Sequence, residues 1–158
     1  MKKIIFTLLL LLLSPFSLLA QKFTWTDTAA IILDILEDTL EDTEIGMETL
    51  GGGEADVYAV EDEYAIEYIA IFNRATFINS LTNTELKKIR DGITEILINE
   101  ILYNYGEATL NAIMNSIAAN NGEIRLIYAY EGGRTSLFKE ITITSNDMKR
   151  IYKNMGNK

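Results

Sequence analysis

Five tyrosines, Tyr58, Tyr64, Tyr68, Tyr128 and Tyr130, with Arg125 alternating beside the last two, are the side chains best suited to recognition. Each ring offers an apolar body and a polar tip, which fits a partner protein, peptide or glycan. Tyr64, Tyr68, Tyr128, Tyr130 and Arg125 therefore make a candidate partner-binding surface if the strands that carry them pair. Tyrosine also favours half-buried sheet faces for its packing alone. A second cluster, Asp34, Glu37, Asp38, Glu41, Asp42 and Glu44, invites a calcium reading. It lacks the alternating acids, central glycine and closing glutamate of an EF-hand loop, so a solvated acidic helix face is expected over 27–47. Ser136 and Lys139 could form a dyad but sit in a strand pattern with no supporting motif.

The 158 residues contain no His and no Cys. That composition removes imidazole general bases, thiol nucleophiles, the usual zinc and copper ligand sets, and disulfides. Gly51-Gly52-Gly53 is not a phosphate loop, because no Lys and Ser/Thr follow it and a strand, not a helix, comes next. No catalytic residue, cofactor site or metal site is expected, and the chain reads as a non-enzyme. A formal charge of -9 opposes nucleic-acid binding, which depends on Lys and Arg neutralising phosphates. The charge is uneven: residues 21–70 hold fourteen acids and one base, whereas 71–158 hold nine acids and eleven bases. Such asymmetry can recruit a basic partner.

Stepping along the chain, hydrophobic spacing of three, four and seven predicts a helix from Asp27 or Thr28 to Met47, with Ala29, Ile32, Leu33, Leu36 and Leu40 inward. Strands are expected over Val57 to Val60 and Tyr64 to Asn73, joined through Glu61-Asp62-Glu63. Thr82 and Glu85 form a capping-box pattern ahead of a helix over 83–104, whose inner face carries Leu86, Ile89, Ile93, Ile96, Leu97 and Ile101. Gly106 separates it from a helix over 107–119. A hairpin of 124–131 with 135–144 and a terminal helix capped by Ser145 complete the chain. The order α-β-β-α-α-β-β-α predicts an α+β fold of two layers: a mostly antiparallel four-stranded sheet with helices on one face.

The N-terminus has the zones of a signal peptide over 1–20: Lys2 and Lys3, an apolar run from Ile4 to Leu13, Ser14-Pro15, and Ala20 before Gln21. The apolar run is shorter than the ~20 residues of a membrane span. No cysteine follows it to accept a lipid. A single domain over 21–158, exported to the periplasm or secreted, with no span after cleavage, is the expectation.

Tyr64 to Met148, with Tyr64-x-x-x-Tyr68, Tyr128-Ala129-Tyr130 and Ile141-Thr142-Ile143-Thr144-Ser145-Asn146-Asp147, resembles a family of small exported bacterial proteins of unknown function. Similar members carry a cysteine at the end of the long helix and a final Asp-Cys. Here Leu102 or Tyr103 and Met148 stand at those places, which the resemblance implies are packed together. The family carries no activity to transfer. Two expectations follow from the residues: an interaction module that binds another envelope or secreted protein, of unspecified oligomeric state, or a small-ligand or lipid carrier with a cavity between helix 83–104 and the sheet.

Overall fold

A computed structural model describes residues 23–49, 55–132 and 135–156. The expected leader, the Gly51-Gly52-Gly53 link and Gly133-Arg134 of the second turn lie outside the described residues. The described elements run α1 (Trp25–Thr49), β1 (Ala55–Asp62), β2 (Ala65–Phe72), α2 (Ala75–Ser80), α3 (Asn83–Tyr105), α4 (Glu107–Ala119), β3 (Glu123–Gly132), β4 (Thr135–Ile143) and α5 (Ser145–Met155). Among them no helix is long and apolar enough to cross a membrane.

Three helices start on the same device. Thr24, Thr82 and Thr144 each accept from the amide three residues on, while Asp27, Glu85 and Asp147 reach back to the threonine amides. Each reciprocal pair satisfies two backbone donors that the first turn leaves open. The terminal helix is thus capped by Thr144, one residue before the Ser145 expected from the sequence. The Ser145 hydroxyl instead donates to the Met114 carbonyl at 2.7 Å, tying α5 to α4. Gly106, at φ 82°, ends α3 and opens α4. Asn121, at φ 50°, turns the chain after α4 in the left-handed region that Asn tolerates.

The sheet order is β1-β2-β3-β4. β1/β2 and β3/β4 are antiparallel hairpins, but β2 and β3 run parallel, with Ile66 beside Ile124 and Tyr68 beside Leu126. The sheet is therefore mixed, which corrects the expectation of a mostly antiparallel one at its central seam. Residues 73–122 carry the chain back to the starting end of β2, so β3 must leave in the same direction. α2, within that crossover, was not expected from the sequence. β1 continues to Asp62 and the turn is Glu63-Tyr64, with Glu63 at φ 50°.

One core lies between sheet and helices. Ile66, Tyr68, Ala70 and Phe72 of β2 and Ile124, Leu126 and Tyr128 of β3 are buried against Ile32 and Leu36 of α1, Ile78 of α2, Leu97, Ile98 and Ile101 of α3, Leu110, Ile113 and Ile117 of α4, and Met148 of α5. Fully burying each such aliphatic side chain contributes about 1.5–3 kcal/mol. Ile96, expected inward, is 48% exposed. Tyr103 is 88% exposed, whereas Leu102 is half-buried against the core and Met148 is buried within it.

α5 is also fixed to α3 by charge. Arg90 pairs with Asp147 at 3.3 Å and Arg150 with Asp91 at 2.8 Å. Burial works to raise both carboxyls, but for Asp147 the Thr144 hydroxyl and amide with Arg90 and Arg150 outweigh it, and for Asp91 the two arginines do. Both are held below the ordinary aspartate value.

Candidate interaction surface

The side-chain alternation of a strand decides which tyrosines a partner can reach. Tyr68 and Tyr128 fall on the helix-covered face and are 1% and 0% exposed. Tyr128 stacks on Phe72 with ring centroids 6.4 Å apart, and burial, with Tyr68 nearby, holds its phenol well above the ordinary value. Tyr130 is half-buried against the same core. Tyr64 stands at the β1/β2 turn, more than half exposed, and Arg125 lies on the opposite face of the sheet. The expected surface of Tyr64, Tyr68, Tyr128, Tyr130 and Arg125 is thus not assembled. The tyrosines of β2 and β3 do share a face, but the helices pack on it.

The opposite face carries no described helix. Strand register arranges it in rows: Tyr58, Ile69, Ile127 and Glu140; Asp56, Ile71, Ala129 and Phe138; Val60, Glu67, Arg125 and Thr142. Tyr58 at 43%, Val60 at 41% and Phe138 at 68% are exposed, and Ile69, Ile71 and Ile127 between them are half-buried. Arg125 bridges strands by pairing with Glu67 at 3.0 Å and with Glu123, and these two carboxylates keep its guanidinium charged. Asp56, Asp62 and Glu140 are exposed on the same face and take no part in that bridge. The surface is an apolar centre with carboxylates at its margins.

Of this set, Tyr58 and Arg125 stand out in the sequence as recognition side chains. The signal for the rest was the two-sided apolar pattern of β2, where Ile69 and Ile71 stand on the face away from Tyr68 and Phe72. Which of two apolar faces the helices take is not encoded in alternation itself.

At the end of the sheet Trp25, the first residue of α1, crosses to the β1/β2 hairpin. Its indole N–H donates to Glu61 at 2.8 Å and its ring meets Tyr64 edge-on at 5.9 Å. Gly122 lies under the indole, and a Cβ there would collide with the ring. Between α3 and the sheet, the space lined by Leu36, Thr39, Tyr68, Ile93, Ile96 and Leu97 is about 30 Å³, room for one water. Among the described residues no group of three or more acidic side chains converges as a metal site. No protein-family model, curated protein or solved structure matches the chain.

Proposed function

We propose that this chain is an exported, non-catalytic interaction module that binds another envelope or secreted protein through the open face of its sheet. The observation that carries the reading is the apolar centre of that face, formed by Tyr58, Ile69, Ile71, Ile127 and Phe138 with no described helix over it. Contiguous exposed apolar area beyond isolated residues marks interaction sites on monomeric proteins. Export rests on the charged, apolar and small-residue zones of residues 1–20, and the non-catalytic reading on the missing His and Cys and the lack of a catalytic motif. A lipid carrier would need several hundred cubic ångströms between α3 and the sheet, where the described space is about 30 Å³.

Native mass spectrometry of the protein purified from its own host tests the proposal. A stoichiometric second chain is expected, retained by the wild type and lost from the Phe138→Ser variant, whose site is exposed enough to leave folding intact. A co-purified small molecule without a second chain, or a second chain that survives Phe138→Ser and Tyr58→Ser alike, would overturn it.

A further inference from the structure

The open face also carries information about what covers it. Its four strands place the outer strand axes roughly 14 Å apart, and its rows extend about 20 Å along them, a flat extent of about 280 Å². A stable dimer between copies would need about 800 Å² from each partner. A second copy would also bring like charges together, since the described side chains of this face include Asp56, Asp62, Glu67, Glu123 and Glu140 against the single cation Arg125. Arg125 is engaged by Glu67 and Glu123, which leaves Asp56 and Asp62 toward opposite ends of β1 and Glu140 on β4 outside its bridge. The unbalanced charge is negative on both outer strands and flanks the apolar centre: Asp56 and Asp62 stand on either side of Tyr58 and Val60 along β1, and Glu140 beside Phe138 on β4.

The geometry points to one occupant: a cationic amphipathic helix of a partner protein, its apolar stripe on Tyr58, Ile69, Ile71, Ile127 and Phe138 and its flanking Lys or Arg residues on Asp56, Asp62 and Glu140. This rests on the interaction-module reading and adds the partner's chemistry. A helix is about 10 Å across with its side chains and rises about 16 Å in three turns, so it covers the apolar rows while its flanks reach the outer strands. The arrangement is that of an amphipathic helix laid on an apolar surface, with charge setting orientation and encounter rate. The same carboxylates repel an anionic membrane surface.

Fluorescence anisotropy with labelled synthetic peptides of about 18 residues tests this, using a leucine-striped peptide with lysine flanks, its counterpart with glutamate flanks, and a lysine-rich scramble without a stripe. The striped cationic peptide is expected to bind one to one. Its affinity should fall about tenfold in Phe138→Ser and several-fold in the combined Asp56→Asn, Asp62→Asn, Glu140→Gln variant. Raising salt from about 0.05 to 0.5 M should weaken the wild type more than that neutralised variant. Tyr103→Ser, exposed but off this face, serves as the control and should bind normally. Equal binding of the glutamate-flanked peptide or of the scramble would overturn the proposal, as would self-association abolished by Phe138→Ser, binding to anionic vesicles through this face, or no peptide binding at all. If the glutamate peptide binds and Phe138→Ser removes it, only the partner's charge is wrong and the interaction-module reading stands. That reading fails separately, when the natural second chain ignores both face variants.

Discussion

Trp25 shows how one side chain joins parts of the fold that are distant in sequence. It starts α1, hydrogen-bonds Glu61 near the end of β1, meets Tyr64 in the turn and lies over the backbone of Gly122 at the entry to β3. Gly122 is constrained by this close approach, as its substituent position is occupied by the indole. Gly122→Ala should therefore displace the ring and break its bond to Glu61, costing about 1–3 kcal/mol as overpacking does. Because Trp25 is the only tryptophan, its emission reads the event directly: a red shift of the folded protein together with a lower denaturation midpoint is expected. An unchanged spectrum and midpoint would show that the indole does not depend on this contact. In the sequence Trp25 is simply the one tryptophan of the chain. Its partners are set by where the hairpin turn and the α4/β3 loop meet, which no local pattern records.

Helices and hairpins were legible because their signals are local. The Thr82 and Glu85 box, the Gly106 break and the alternation in 124–131 each lie within a few residues, and the structure agrees with all three. Thr24-x-x-Asp27 and Thr144-x-x-Asp147 repeat the first signal and were equally readable, although Ser145 competes as a cap in the second. The β2/β3 seam was not legible, since its partners are separated by residues 73–122 and both strands have apolar residues on both faces. α2 was missed for a related reason: six residues are too few to display helical periodicity. The carboxyls of Asp147 and Asp91 lie below their ordinary value when folded. Their stabilising contribution is therefore fully present above the unfolded aspartate value of about 3.9 and is lost as pH falls through the lowered folded values. Thermal melts from neutral pH to about pH 2 should show a falling Tm for the wild type. Asp147→Asn should start lower and fall less steeply, so that the two curves converge in acid. Parallel curves at all pH values would mean that Asp147 contributes no proton-linked stability.

At the scale of the whole molecule, the parallel seam divides the sheet into two hairpins that could each belong to a separate unit. The N-terminal hairpin is covered by α1, while β3 and β4 are followed directly by α5. What opposes a division is the crossover. α2 packs Phe77 on Phe72 of β2 and also lies against β3 and β4, and α3 contacts α1 on one side and α5 on the other. The buried residues of both hairpins form a single cluster, with Ile66 and Ile124 side by side at the seam. Neither hairpin can expose its inner face without exposing that shared core, so unfolding should be one cooperative transition, as is usual below about 150 residues. Trp25 emission reports the α1 end, and far-UV circular dichroism reports the helices of both halves. In urea the two signals should trace the same midpoint. Ile124→Ala, which opens a cavity at the seam, should lower both by the same amount, about 2–5 kcal/mol. A Trp25 transition that precedes or follows the loss of helix would show that the hairpins melt separately. The open face, made from all four strands, would then form only when both halves are folded.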